Sequence, residues 1–206
     1  MLRIVSYPHP ALRYESRPVL EIDDAFRATV REMFKLMYAA RGIGLAANQV
    51  ALPFRFFVLN LTADAEQPDQ EQVFINPEIV KRHSSVEDEE GCLSLPGLYA
   101  NVRRAKKIRV RAYDLEGTPI ERDVDDLLSR AIQHETDHLH GKLFIDMLEP
   151  LVLHGFSERL RGYELDYRQG QTQGLIPAND ELLSRLQRLP RPTPEGIFTE
   201  PGDNTS

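Results

Sequence analysis

Gln133-His134-Glu135-Thr136-Asp137-His138 closes an apolar-periodic run. Val124, Leu127, Leu128, Ala131, Ile132 and Glu135 recur at helical spacing, which predicts a helix from Val124 to Leu139 with Gly141 as its stop. Residues four apart on a helix stand one turn apart on one face. His134 and His138 can therefore share one metal ion, each ring nitrogen at about 2.0–2.1 Å. Glu135 between them is placed to move a proton of an attacking water. The bland alternative is a surface helix with solvated histidines and acids. Against it, Leu127, Ala131, His134 and His138 form one stripe, so the histidines continue an apolar face. Buried imidazoles need partners, and a metal is one.

Two histidines do not complete a catalytic metal site, which usually has three protein ligands and an open position. The extended pattern with a glycine and a third histidine fails: Gly141 is in register, but the last position is Phe144. Glu149, Glu158 and Glu164 lie downstream, and nothing marks any of them. Cys92, in Glu90-Gly91-Cys92-Leu93-Ser94, is the better candidate. A thiolate suits zinc or ferrous iron, and the adjacent glycine lets backbone approach closely. Taken alone, one cysteine reads more readily as a small buried apolar residue, and only the combination with the histidine helix favours the ligand. Gly42-Ile43-Gly44-Leu45-Ala46-Ala47-Asn48-Gln49 is a tightly packed loop or turn. It is not a dinucleotide-binding loop, because position 47 is alanine and no βαβ unit surrounds it. Its chemical residue is Gln49, whose amide can stabilise an oxyanion.

Together, Gly42–Gln49, Glu90–Ser94 and Gln133–His138 resemble the three motifs of the peptide deformylase family, in the right order. The resemblance runs from about Leu2 to Pro150, and Tyr7-Pro8-His9-Pro10 with Leu12-Arg13 also fits it. It implies an α+β fold with antiparallel strands packed around a central helix that carries both histidines. It implies a catalytic domain over 1–150 and a C-terminal extension, helices plus a proline-rich tail, over 151–206. The implied reaction removes the formyl group from formyl-methionine at the start of nascent polypeptides and releases formate. The implied metal is Fe²⁺, with Zn²⁺, Ni²⁺ or Co²⁺ as substitutes.

Carried over residue by residue, the resemblance makes Cys92, His134 and His138 the metal ligands and Glu135 the general acid/base. The Leu93 N–H and the Gln49 side chain would hold the oxyanion. Close backbone around Gly44 and Leu93 would admit formyl and exclude acetyl. Ile43, Gly44, Leu127 and Ala131 are candidates for the substrate pocket, while Arg130 lends its aliphatic stem or faces solvent. Glu90 and Arg104 correspond to an ion pair expected to orient the Cys92 loop. Asp137 receives no chemistry beyond a supporting or capping role. His9, His83, His140 and His154 match no ligand spacing.

Outside the motifs, Asp23–Ala40 reads as a helix with Phe26, Val30, Met33, Phe34 and Met37 inward. Phe54–Leu61 reads as a strand. Val73–Ile75 is expected to be a short strand stopped by Asn76-Pro77, with Ile79–Arg82 as another. Lys107–Tyr113 alternates as a half-buried strand, Asp114–Gly117 turns, and Pro119–Val124 returns. Leu151–Tyr167 is a helix interrupted at Gly155 and Gly162. Asn179–Leu189 is a second helix with Asn179 or Asp180 near its cap. Pro190–Ser206, with four prolines, is a disordered tail or an extended strap.

The 206 residues are 41% hydrophobic and 28% charged with net charge −7, which suits a soluble globular chain and disfavours a broad phosphate-binding surface. One cysteine excludes an internal disulfide. No signal-like or membrane-length apolar run occurs, so a cytoplasmic monomer without membrane or nucleic-acid site is expected. In some relatives a basic C-terminal helix contacts the ribosome. Here Glu158, Glu164 and Asp166 mix with Arg159 and Arg161, which argues against such a face. The competing readings are a metallopeptidase acting on ordinary peptide bonds and a non-catalytic metal-binding relative.

Overall fold

The computed structural model describes residues 2–194, 196 and 197. Helix α1 (Asp24–Ala39) is capped by Asp23, whose Oδ1 accepts the Phe26 N–H at 2.7 Å. The expected inward residues Phe26, Val30, Met33, Phe34 and Met37 are all buried. Short strand β1 (Gly44–Ala46) and a 3₁₀ turn (Ala47–Val50) follow, so the small-residue segment is part strand rather than loop. β2 (Phe56–Leu59) is shorter than expected and buried on both faces.

β3 (Gln72–His83) corrects the expectation of two strands: the chain passes through Asn76-Pro77 without leaving the sheet. A register shift between Ile75 and Glu78 absorbs the two residues, with Asn76 left-handed at φ 52°. The Asn76 side chain accepts the Val19 N–H at 2.9 Å and donates to Val19 O at 2.8 Å, replacing the ladder bonds lost there.

β4 (Val86–Gly91) and β5 (Tyr99–Arg104) form an antiparallel hairpin outside the main sheet. β6 (Lys107–Tyr113) and β7 (Pro119–Asp125) complete an antiparallel sheet in the order β1-β2-β3-β6-β7. Val124 lies in β7, which ends at Asp125, so helix α2 runs from Asp126 to Leu139 rather than from Val124. Gly141 ends it at φ +68°, where a Cβ would stand 2.6 Å from the Arg13 carbonyl oxygen.

Period-two alternation assigns the two faces of β2. Phe56 and Val58 pack with α1, while Phe57 and Leu59 join Ala131, Ile132 and Leu139 of α2. The hairpin covers α2 from the other side, which places the histidine helix at the centre. A third cluster joins Val5, Leu12, Leu95, Leu98 and Val102 to Leu182, Leu186 and Ile197 of the extension.

The extension forms α3 (Pro150–Gly155), α4 (Ser157–Thr172) and α5 (Asn179–Arg188). The helix does break after Gly155 but runs through Gly162, where a Cβ would meet open space. Ala178 is the N-cap of α5, and Asn179 and Asp180 follow it as the first two helical residues, near the cap as expected. Of the expected tail, Ile197 is buried and Arg191 pairs with Asp23 at 2.8 Å, so this part is a strap; residues 195 and 198–206 lie outside the described residues.

Candidate metal centre

α2 delivers His134, Glu135 and His138, and the end of β4 delivers Cys92. The Cys92 Sγ and one ring nitrogen of each histidine lie within 4.8 Å of one another. Cys92 Sγ is 3.3 Å from His138 Nε2. Gly91, just before Cys92, is packed by the Tyr99 ring of the paired strand, where a Cβ would stand 2.5 Å from it.

The predicted stripe holds for Ala131, His134 and His138, all buried, whereas Leu127 is 51% exposed on the first turn. Burial disfavours charge on His134, yet contacts with Cys92 and Glu90 outweigh it and hold its pKa well above the ordinary value. Burial and the neighbouring His134 hold His138 well below it. The anionic surroundings of His134 thus favour positive charge in the cage. The donor set fits a divalent transition metal: one thiolate and two imidazoles, the three-ligand count that in catalytic sites leaves a fourth position for water or substrate.

Glu135 is 4% exposed, and its Oε2 has no hydrogen-bond partner among the described residues. Burial, opposed by the His134 charge, pushes its pKa up to about 7. An orphaned carboxylate oxygen beside three metal donors fits a role toward a water and departing group. Its other oxygen lies against Gly44, where a Cβ would overlap it and stand 2.7 Å from Leu59 Cδ2.

Gln49 sits on the 3₁₀ turn. Its Oε1 accepts the Ala46 N–H at 2.8 Å, which turns Nε2 toward Ser94 Oγ (3.3 Å) and Cys92 Sγ (3.5 Å). Leu93 follows Cys92 directly, packed against Gly42, where a Cβ would stand 2.7 Å from Leu93 Cδ1. Ile43 is half-buried beside Gly44 and packs with the α2 cluster.

Glu90 is at the centre of a buried charge network. Its carboxylate accepts Arg104 Nε at 2.8 Å, Arg104 Nη2 at 3.0 Å, Arg130 Nη1 at 2.6 Å and His134 Nδ1 at 3.0 Å. Burial alone would raise its pKa, but hydrogen bonds from His134 and Arg104 hold it well below the carboxylate range. Arg104 also contacts Asp137, which supplies the supporting role that the sequence left unassigned.

Arg130 is a correction: its side chain is 8% exposed rather than facing solvent, and its head donates into the hairpin. Gln133, unassigned in the sequence, brackets Ala105 with bonds at 3.0 and 2.8 Å, and Asn48 donates to the His138 carbonyl. A signal for Arg130 existed: it lies one turn before His134 and shares its face.

An α+β frame, a His-Glu-x-x-His helix and a cysteine closing the cage define a metallohydrolase-type protein. The family model described as polypeptide deformylase matches residues 1–153, and the chain belongs to that family. Peptide deformylase from Rhodopirellula baltica is 41% identical over 187 residues, covering 91% of this chain and 92% of the relative. That of Pseudomonas aeruginosa is 46% identical over 170 residues, covering 82% and 98%. Among solved structures, the Plasmodium falciparum peptide deformylase superposes with TM-score 0.79 at 37% identity, covering 81% of this chain and 98% of that one. The Legionella pneumophila enzyme gives 0.73 at 39%, covering 86% and 100%.

Proposed function

We propose that this protein hydrolyses the formamide of formyl-methionine at the start of nascent polypeptides, yielding formate and a free amino terminus. The observation that carries the reading is the convergence of Cys92, His134 and His138 within 4.8 Å, with the Glu135 carboxylate buried beside them.

Cys92, His134 and His138 would hold a divalent metal, which when bound acts as a Lewis acid on water and the formyl oxygen. Glu90, by accepting the hydrogen bond from the Nδ1–H of His134, leaves the Nε2 lone pair of that ring free to bind the metal. Glu135 removes a proton from the attacking water and delivers it to the departing amine. The Gln49 Nε2 and the Leu93 N–H receive the negative charge that develops on the formyl oxygen. Gly44 and Leu93 wall the carbon closely, so a hydrogen substituent fits where a methyl does not. Ile43, Leu127 and Ala131 offer apolar surface to the methionine side chain; the half-exposed Leu127 suits a pocket mouth.

The soft thiolate with two imidazoles suits Fe²⁺, with Zn²⁺, Ni²⁺ or Co²⁺ able to occupy the same donors. No helix among the described residues is long and apolar enough to cross a membrane. We place the enzyme in the cytoplasm as a monomer acting on emerging chains. Any ribosome contact would be transient, because the α4 surface mixes both charges.

The test is formate release from formyl-Met-Ala-Ser by anaerobically prepared Fe²⁺ protein, alongside Glu135→Ala. Full activity in that variant sinks the mechanism. Cleavage of internal peptide bonds instead of formate release favours a metallopeptidase, and metal binding without turnover favours a non-catalytic relative.

A further inference from the structure

We propose that Arg130 is a positioning residue of the metal cage: it locks the helix that carries both imidazoles to the hairpin that delivers the thiolate. This rests on the reading of Cys92, His134 and His138 as metal ligands.

The cage is assembled from two elements that share no sheet. The β4–β5 hairpin is not hydrogen-bonded into the five-stranded sheet that packs on α2. The distance from Cys92 to the histidines is therefore set by contacts between hairpin and helix. Arg130, one turn before His134, reaches both hairpin strands at once. Nη1 donates to Glu90 Oε1 at 2.6 Å, to Val102 O at 2.9 Å and to Asp88 O at 3.4 Å, and Nη2 to Val86 O at 3.1 Å.

Two physical needs converge on this guanidinium. The Val86, Asp88 and Val102 carbonyls all accept from Arg130, and Val102 is 1% exposed, where a carbonyl without a donor is costly. Glu90 and Asp137 place two carboxylates beside Arg104, and Arg130 supplies the second cation that balances them. Each Glu90 oxygen then holds two donors: Arg104 and Arg130 on Oε1, Arg104 and His134 on Oε2. Fixing Oε1 from two sides fixes the direction of Oε2, and with it the His134 ring. A lysine keeps one charge but cannot span four acceptors, because its donors radiate from a single atom.

The test measures Zn²⁺ affinity by chelator competition for the wild type, Arg130→Met and Arg130→Lys, each checked for native far-UV circular dichroism. Loss of an outer partner of a metal ligand typically costs about 10–100-fold in affinity, and Arg130→Met is expected in that range with Arg130→Lys between it and the wild type. Leu186→Ala, destabilising but remote from the cage, separates the proposal from a merely structural role. Its Zn²⁺ affinity is expected to equal that of the wild type. Wild-type affinity in folded Arg130→Met overturns the proposal. If Arg130→Met does not fold, wild-type affinity in Arg130→Lys overturns it. A wild type that does not hold Zn²⁺ overturns the metal reading itself.

Discussion

Glu90 Oε2 lies 3.0 Å from Nδ1 of His134, while the same carboxylate is gripped by Arg104 through two bonds. The contact selects the ring tautomer with its proton on Nδ1 and leaves Nε2 toward the cage. Glu90→Gln keeps the shape but removes the charge that fixes this proton. We expect metal affinity or activity to fall by about 10–100-fold. Chelator competition and formate release read the two quantities, and unchanged values in both would refute the role.

Gln49 is locked by the Ala46 N–H with its amide nitrogen toward Cys92. Gln49→Leu removes one donor to the developing oxyanion. We expect kcat to drop by about 10²–10³ with KM much less affected. A variant that keeps wild-type kcat takes Gln49 out of the transition state.

Gly44 has no room for a side chain, because a Cβ would overlap the Glu135 carboxylate. Gly44→Ala should displace Glu135 and depress formate release strongly while the thermal midpoint moves only modestly. An active Gly44→Ala variant would mean that the carboxylate has freedom the structure does not show.

His9 is buried, and burial together with Arg3 lowers its pKa from 6.5 to about 4. Its Nδ1 accepts the Ala11 N–H at 3.2 Å, so the neutral ring is the bonded form. Because the folded pKa is the lower one, the unfolded chain binds more protons between these values. The stabilisation is complete above about pH 6.5 and is lost as pH falls toward about 4, by on the order of 3 kcal/mol. His9→Asn retains an acceptor for Ala11 and removes the titration. Urea unfolding at pH 7 and pH 4.5 should show a smaller stability difference for the variant than for the wild type. Equal differences would contradict the assignment.

Leu186 on α5 is fully buried with Leu12 and Leu95. Leu186→Ala should cost about 2–5 kcal/mol, the range for a large-to-small core change. Denaturant unfolding measures it. A cost below 1 kcal/mol would make the extension an appendage rather than part of the core.

The legible parts of this chain were those whose signal is local. The α1 periodicity, the β6 alternation and the Gly141 stop depend on neighbours within a turn or two and stand in the structure, while the α2 periodicity holds only from Leu128 on, with Val124 in β7 and Leu127 half exposed. The β4–β5 hairpin went unread because β4, from Val86 to Gly91, exposes every residue except Glu90 and half-buried Gly91. It therefore shows no apolar alternation. Asn76-Pro77 reads as a break in β3 because turn residues look alike whether they end a strand or form a bulge; the Val19 contacts decide between the two.

By itself the sequence determined the chemistry on offer: a helix with two histidines and a glutamate on one face, one cysteine, one amide-bearing loop, and a three-motif likeness to peptide deformylases. Spacing along a helix is set by backbone geometry, so those relations survive without tertiary information. Only the tertiary structure decided that Arg130 is buried, that Glu90 holds His134 as well as Arg104, that Asp137 belongs to the same network, and that α5 with Ile197 closes a core cluster. These contacts join residues far apart in the chain. Whether an arginine or a carboxylate is solvated or buried depends on partners brought to it by folding, which no local pattern encodes.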